Sequence, residues 1–191
     1  MYNKIEKRMK YHIFAGRFQP FHLGHLEIVK QSVSNLGEND VLVLAVVTSI
    51  DSGNPVIDNE FAKNAAEHHL PERNPWLPIV PLKAVTNLVS NMQQSGRILT
   101  MLLPAPDKSW VGIKKWFPED RVWIIPDAGE EFDTQKAMFY KNQGEKIIRY
   151  SESTGISGRE IREFYKDSDY DNFKKFIPSQ IVDIYWKGER R

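Results

Sequence analysis

The chain has 191 residues, and 41% of them are hydrophobic, which is enough apolar material for the core of one ordinary domain. Its 26 Lys and Arg residues nearly balance its 25 Asp and Glu residues, which argues against a nucleic-acid coat or a polybasic membrane anchor. The absence of cysteine excludes disulfides, thiolate metal sites and cysteine nucleophiles. The longest strongly apolar run, Val41–Val47, is far shorter than the roughly 20 residues of a membrane helix, and the charged N-terminus lacks a signal-peptide pattern. We therefore expect a cytoplasmic protein with a single domain over residues 1–191.

Short apolar segments alternate with segments of helical spacing along the chain. Val41–Val47 is apolar throughout, as in a strand that is buried on both faces of a parallel sheet. The helical segments have apolar residues three or four positions apart and end near Gly or Pro. The pattern predicts strands at 12–15, 41–47, 77–83, 97–103, 121–125 and 146–150, and helices at 26–36, 60–70, 85–94, 109–117 and 132–142.

The C-terminal part has a different pattern, because helical segments follow one another there. Residues 158–166 and 171–187 are predicted as consecutive helices, and Pro178 is predicted to break the second and to start a last helix. Together with the alternation before it, this pattern predicts an α/β fold. We expect a doubly wound parallel sheet with right-handed crossovers and a small helical part at about 157–187.

Residues 16–25 read G-R-F-Q-P-F-H-L-G-H and lie between the first predicted strand and the first predicted helix. This is the place where an open α/β sheet binds its ligand. The helix N-terminus offers backbone N–H groups to a phosphate, and Gly24 permits close approach of the backbone. His22 and His25 can face one side of the turn, and Arg17 adds a cation. The segment predicts a site for an anionic, phosphate-bearing ligand, whereas His12, His68 and His69 are interpreted as structural or solvated.

Residues 156–162 read I-S-G-R-E-I-R. By themselves Ser157 and Glu160 form a capping box, which predicts the start of a helix.

The two segments resemble the two signatures of the H-x-G-H nucleotidyltransferase superfamily, whose members transfer a nucleoside monophosphate from ATP or CTP to a phosphorylated acceptor. The first looks most like archaeal-type nicotinamide-mononucleotide adenylyltransferases, and the second is similar to I-S-x-T-x-I-R with Arg159 in place of Thr. The resemblance implies a Rossmann-like nucleotidyltransferase fold with His22, His25 and Arg162 as catalytic residues. It implies nucleotide binding by Gly16, Arg17, Phe18, Gly24, Ile156, Ser157, Gly158 and Arg159.

Two weaker similarities lie between the signatures. Residues 54–60 resemble the family stretch N-P-F-T-x-G-E-R, but Phe61 occupies the position of its phosphate-binding Arg, for which Lys63 or Arg73 could substitute. Residues 106–110 resemble a P-D…W segment, which implies that Asp107 and Trp110 bind the acceptor. Trp110, Ile113 and Phe117 also have the helical spacing of core residues, so both interpretations of Trp110 stay open.

The resemblance implies that a phosphate of the acceptor attacks the α-phosphorus of ATP and that pyrophosphate leaves. The attacking phosphate is already an anion, so no general base is needed. Arg162, Arg17 and Arg159 would hold the β- and γ-phosphates. Mg²⁺ would be carried by the nucleotide phosphates, with no metal site of the protein's own. The expected partners are ATP or CTP and a small phosphorylated acceptor, with no nucleic acid and no membrane, and a homo-oligomer is left open.

Nicotinamide mononucleotide is the leading acceptor on this evidence. The alternatives are a cytidylyltransferase, an adenylyltransferase for another phosphate ester such as phosphopantetheine, and a non-catalytic nucleotide-binding module. The length, the near-neutral charge and the lack of a K-M-S-K-S-like loop argue against a fragment of a class I aminoacyl-tRNA synthetase, which shares H-x-G-H.

Overall fold

The computed structural model describes residues 9–48, 73–93, 95–105, 110, 112–127, 129 and 131–188. Within this part of the chain, one sheet contains five parallel strands in the order β3-β2-β1-β4-β5. They are β1 (Tyr11–Gly16), β2 (Val41–Val47), β3 (Ile98–Leu103), β4 (Arg121–Pro126) and β5 (Ile147–Tyr150). The chain builds outward from β1 to β3 and then returns to the other side of β1, so the predicted doubly wound α/β sheet is confirmed.

The helices are α1 (Leu23–Ser34), α2 (Ile79–Ser90), α3 (Glu131–Asn142), α4 (Gly158–Lys166), α5 (Tyr170–Lys175) and α6 (Val182–Trp186). A 3₁₀ turn, Ser95–Arg97, precedes β3. In the predicted helix at 109–117, Trp110 and residues 112–113 are helical, and the Lys114 N–H donates to the Trp110 carbonyl at 2.9 Å. The predicted helix at 60–70 and the segment at 54–61 lie outside the described residues.

The sheet has a separate apolar cluster on each face, because successive side chains of a strand point to opposite sides. Phe14 of β1 belongs to the cluster that includes α1, α2 and the C-terminal helices. Ile13 and Ala15 belong to the opposite cluster, which includes Trp110 and α3. The central strands are therefore covered on both sides, which explains why β2 carries no polar residue.

The strand predicted at 77–83 is wrong, because these residues enter the helix α2. The buried positions of α2 are Val80, Ala84, Val85, Leu88 and Val89, which recur with helical spacing. A short apolar run has no periodicity that separates a strand from a buried helix. Pro81 lies in the first turn of the helix, where its missing N–H breaks no helical hydrogen bond.

Among the C-terminal helices, α4 has the predicted bounds, whereas α6 begins later than predicted. The break near Pro178 is confirmed, but α6 begins at Val182 rather than at Pro178. The Ile181 N–H donates to the Pro178 carbonyl at 2.9 Å, so a turn separates the proline from the helix. Ile161, Tyr165, Phe173 and Tyr185 then pack into the cluster on the Phe14 face.

Among the described residues, no helix has both the length and the apolar character needed to cross a bilayer.

Candidate functional site

The strand order reverses between β1 and β4, the position at which open α/β sheets have a crevice. The pairing of β1 with β4 ends at Phe14 and Ile124, whereas its pairing with β2 continues to Gly16 and Val46. The last residues of β1 therefore extend beyond their pairing with β4, at the carboxyl edge of the sheet. Ligands of open α/β folds bind at this position.

The loop after β1 is shaped by Phe18, whose backbone has a positive φ of 51°. Its ring is buried and packs against Phe14 and against the imidazole of His25, with centroid distances of 5.3 and 5.2 Å. A Cβ at Gly16 would lie 2.7 Å from this ring, so Gly16 is needed for the packing. Gly16 and Phe18 thus shape the loop that leads to the histidines, and their predicted contact with a nucleotide stays a prediction.

Distant residues hold this loop from the C-terminal helices and from the segment that precedes α2. The Tyr185 hydroxyl donates to the Phe18 carbonyl at 2.8 Å and accepts from the Phe21 N–H at 3.0 Å. The Gln19 side-chain amide exchanges two hydrogen bonds with the backbone of Trp76, at 3.1 and 3.3 Å. Sequence analysis missed these supporting residues because their partners lie more than 50 positions away along the chain.

His22 caps the N-terminus of α1, and His25 lies one turn into the helix. Their ring centroids are 3.8 Å apart. The His22 N–H donates to Nδ1 of His25 at 3.2 Å, which places the proton of a neutral His25 imidazole on Nε2. The Nδ1 of His22 is buried without a hydrogen-bond partner among the described residues.

Both imidazoles are neutral at pH 7. Burial and the neighbouring charge of Arg162 lower the pKa of His22 to about 4. Burial, His22 and Lys136 hold the pKa of His25 well below its ordinary value of 6.5. The neutral rings can act as hydrogen-bond donors toward an anion without the charge repulsion that two imidazolium ions 3.8 Å apart would have.

The second motif meets the first at the start of α4. Ser157 and Glu160 form the predicted capping box, in which the Ser157 N–H donates to the Glu160 carboxylate at 2.8 Å. The first helical residue, Gly158, lies beside His22, since a Cβ built on it would be 3.9 Å from Cδ2 of His22. The N-terminal ends of α1 and α4 therefore converge, and both favour an anion between them.

Arg162 joins the two motifs directly. It is 9% exposed, and its guanidinium donates to the Gln19 carbonyl at 2.6 Å. Burial and the neighbouring cations Arg73 and Arg159 lower the pKa of Arg162 to about 10, so it stays charged at pH 7. A cluster of three cations on this side of the crevice is the chemistry expected for polyphosphate binding.

Two details of the first motif differ from the sequence interpretation. The Leu23 N–H, at the first turn of α1, donates to the Phe176 carbonyl at 2.9 Å and is already used within the protein. Gly24 is required by the loop before α4, because a Cβ at Gly24 would collide with the Glu152 carboxylate and lie 2.8 Å from Oγ1 of Thr154. That hydroxyl is buried without a hydrogen-bond partner among the described residues, so it adds a polar atom to the site.

Of the two predicted acceptor residues, Trp110 is described, and it lies in the apolar cluster on the Ile13 face of the sheet. Trp110 is 2% exposed and packs against Trp123, Phe139 and Tyr140, with centroid distances of 5.3 to 5.5 Å. This position agrees with the core interpretation that its helical spacing left open. Asp107 lies outside the described residues, as do Phe61 and Lys63. Ile156 packs partly buried against the Phe14-face cluster, and Arg159 is exposed.

Lys136 is a polar residue of this crevice that sequence analysis missed. It lies on α3, and its ammonium donates to the Ala15 carbonyl of β1 at 2.7 Å. The spacing of residues in the sequence could have identified it. Lys136 lies four positions from both Phe132 and Tyr140, on the side of α3 that faces the core. A lysine among apolar positions of that helix indicates a partly buried cation.

The described residues include no group of three or more His, Asp or Glu side chains arranged to hold a metal ion. A parallel α/β sheet with convergent helix N-termini, paired imidazoles and cations at its switch point defines a Rossmann-like nucleotide-binding protein. The chain belongs to the cytidylyltransferase-like family of nucleotidyltransferases, whose family model matches residues 13–164.

Particular relatives match shorter segments. A nicotinamide-nucleotide adenylyltransferase of Thermoplasma volcanium is 49% identical over 55 residues, which are 29% of this chain and 27% of the relative. A protein of the same name from Thermoplasma acidophilum is 43% identical over 70 residues, which are 37% of this chain and 34% of the relative. These alignments cover only about a third or less of each relative's length.

The fold is similar over nearly the whole chain to a solved structure. The Plasmodium falciparum nicotinic acid mononucleotide adenylyltransferase complexed with NaAD superposes with a TM-score of 0.53, covering 94% of this chain and 96% of that one. At 15% sequence identity, this likeness shows the fold alone.

Proposed function

We propose that this chain transfers AMP from MgATP to nicotinamide mononucleotide (NMN), forming NAD and pyrophosphate. The observation that supports nucleotidyl transfer is the junction of the two motifs, where Arg162 contacts the Gln19 carbonyl and Gly158 lies beside His22. The partial relatives named nicotinamide-nucleotide adenylyltransferase support the choice of acceptor.

In this reaction a phosphate oxygen of the acceptor forms a bond to the α-phosphorus of ATP while the bond from that phosphorus to the bridging oxygen breaks. The electron pair of the broken bond leaves with pyrophosphate. His25 donates its Nε2–H to the α-phosphate, and Arg162 with Arg159 holds the leaving pyrophosphate. The protein therefore acts by alignment and charge stabilisation, and it needs no general base because the nucleophile is an anion.

Magnesium enters this scheme as part of the substrate. The site includes the cations Arg162 and Lys136 and two neutral imidazoles, which suit phosphates better than a free divalent ion. When bound, Mg²⁺ would neutralise charge that develops on the β- and γ-phosphates.

A second acceptor class is supported by the position of Trp110. Its ring is packed among Trp123, Phe139 and Tyr140, so Trp110 offers no open indole face to a nicotinamide ring. A different small phosphate ester, with ATP or CTP as the donor, is the second candidate.

The test is pyrophosphate release from MgATP with NMN, with the product identified by mass. We expect NAD from the wild type and a loss of about 10²–10³-fold in kcat/KM for Arg162→Ala, the usual effect of removing a charge-stabilising donor. Arg149→Ala is the matched control, since Arg149 pairs with Asp127 on the surface at 2.6 Å. Turnover only with CTP or with phosphopantetheine would support the second candidate, and nucleotide binding without pyrophosphate release would support a binding module.

A further inference from the structure

Lys136 reaches the catalytic crevice from the face of the sheet opposite to α1. Its helix α3 is anchored on that face by Phe139 and Tyr140, which are almost fully buried. Its ammonium donates to the Ala15 carbonyl at 2.7 Å, just beyond the last residue pair of β1 and β4 at Phe14 and Ile124. The side chain therefore ends at the point where the two strands part.

Cations adjoin the two histidines from both faces of the sheet. Arg162 comes from α4, which packs on the Phe14 face, and it neighbours His22, Arg73 and Arg159. Lys136 comes from α3 on the opposite face, and it neighbours His25 and Arg17. Arg162 and Lys136 therefore reach the histidines from opposite faces of the sheet.

Lys136 has the properties of a cation that would bind an anionic ligand favourably. The Ala15 carbonyl takes one of its three N–H donors, and Asp133 on the same helix is the neighbouring carboxylate. Loss of hydration and the charge of Arg17 outweigh Asp133 and lower the pKa of Lys136 to about 8. A lysine in this state gains more from a bound phosphate than a fully hydrated surface lysine does.

The in-line geometry of phosphoryl transfer indicates which phosphate group each end of the site would bind. The attacking and leaving oxygens lie on opposite sides of the reacting phosphorus. If the histidines hold the α-phosphate and the arginine cluster holds the pyrophosphate, the entering phosphate must approach from the side of Lys136. We propose that Lys136, together with Arg17, binds the phosphate of the acceptor. This inference rests on the proposed nucleotidyl transfer and moves Arg17 from the β- and γ-phosphates, where the sequence placed it, to the acceptor.

The first test compares the KM values for NMN and MgATP in Lys136→Gln, Lys136→Arg and wild type. We expect Lys136→Gln to raise the KM for NMN about 10- to 100-fold, as for the loss of one charge-assisted hydrogen bond, and to change the KM for ATP less than about twofold. Lys136→Arg should restore much of the NMN affinity because it keeps the cation. Lys141→Gln, on the exposed side of the same helix, is the control and should match the wild type.

Comparing the change in KM for NMN with the change in KM for ATP separates a role in binding the acceptor phosphate from a structural role. Equal KM values in Lys136→Gln and wild type, or an equal rise for NMN and ATP, would overturn the inference. Melting temperatures of all variants show whether each is folded before its kinetics are compared.

The pH profile gives a second readout that a structural lysine would not produce. The free enzyme holds Lys136 charged below a pKa of about 8, in the surroundings set by Asp133, Arg17 and His25. We expect kcat/KM for NMN to fall above that pH, because the ammonium is lost while the acceptor phosphate stays a dianion. In Lys136→Arg the fall should move to higher pH, and an unchanged profile would contradict the assignment.

A binding measurement keeps this inference separate from the proposed function. If wild type forms no product from NMN, the proposed function fails, and inorganic phosphate titrated into protein saturated with magnesium and α,β-methylene-ATP decides the role of Lys136. A loss of phosphate affinity of about tenfold or more in Lys136→Gln, but not in Lys141→Gln, supports the second phosphate site. Equal affinity in the two variants overturns it.

Discussion

The His22 and His25 imidazoles form the centre of the site and show how local contacts set their chemistry. The backbone N–H of His22 fixes the tautomer of His25, and burial keeps both rings neutral. Each ring can therefore act as a hydrogen-bond donor rather than as a charge, and the neighbouring cations Arg162 and Lys136 supply positive potential.

His25→Ala should lower kcat with MgATP and NMN by about 10²–10³-fold, because one pre-aimed donor to the α-phosphate is lost. His12→Gln is a matched control. His12 is also buried on β1, but its Nε2 contacts Asp40 at 3.2 Å, away from the crevice. Steady-state kinetics should show normal turnover for the control, and near-normal turnover of His25→Ala would contradict the proposed mechanism.

The low pKa of His22 also makes the fold sensitive to acid. An unfolded histidine binds a proton below its ordinary pKa of 6.5, whereas folded His22 does so only near 4. The free energy of unfolding is therefore not reduced by His22 above pH 6.5. As the pH falls from 6.5 toward 4, protonation of His22 in the unfolded chain lowers the free energy of unfolding by about 3 kcal/mol.

Urea unfolding at pH 7, 6 and 5 measures this slope, to which the lowered pKa of His25 also contributes, so His22→Gln should make it shallower without removing it. Asp40 and Glu145 have lowered pKa values from ordinary values of 3.8 and 4.5, so their contributions are lost mainly at lower pH and are the same in both proteins. Identical slopes for the variant and the wild type would show that the His22 imidazole is not held neutral by burial.

Among the elements, helices that are distant in sequence position the loop between β1 and α1. Tyr185 of α6 binds the backbone at Phe18 and Phe21, and its Trp76 neighbour donates to the Tyr185 carbonyl at 2.8 Å. The C-terminal helices are thus part of the site's construction, because without Tyr185 the Phe18 carbonyl and the Phe21 N–H of this loop lose their hydrogen-bond partner.

Gly24→Ala tests the contact between α1 and the loop before α4. The added Cβ would collide with the Glu152 carboxylate and lie 2.8 Å from Oγ1 of Thr154, so one of the two segments must shift. We expect a lower melting temperature and a fall of at least about tenfold in kcat/KM, because misplacing reacting groups by about 1 Å costs catalysis steeply. Gly96→Ala, which meets nothing within 4 Å, should behave like wild type in both measurements.

Over the whole molecule, the site lies at the junction of elements from both faces of the sheet. Arg162 comes from the Phe14-face helices and Lys136 from the opposite face. A nucleotide that binds only this folded arrangement stabilises the fold by an amount that rises with the logarithm of its concentration relative to its Kd.

MgATP at about 100 times its Kd should stabilise the fold by about 2.7 kcal/mol, which corresponds to about 5–10 °C in melting temperature for a chain of this size. MgCTP should give a smaller shift if the base is recognised as adenine. Arg162→Ala should reduce the MgATP shift, and Arg149→Ala should keep it. Equal shifts for MgATP and MgCTP would refute the adenine preference, and no shift with either would contradict nucleotide binding in this crevice.

Local sequence patterns were enough to predict the α/β class, the buried strand β2, the start and end of α4 and the two motifs of the site. These features depend on local patterns, since apolar periodicity, capping residues and short motifs are properties of neighbouring positions. The strand predicted at 77–83 was wrong. A short apolar run in a helix that is buried by tertiary packing has no local sequence pattern that distinguishes it from a strand.

Only the tertiary structure decided how the site is assembled. It brought Gly158 beside His22, joined Arg162 to the Gln19 carbonyl, placed Trp110 in an aromatic core and carried Lys136 to the end of β1. Each of these contacts joins residues that are far apart in the chain. The physical reason is that burial and strand order, which no local segment encodes alone, determine which side chains meet at the crevice.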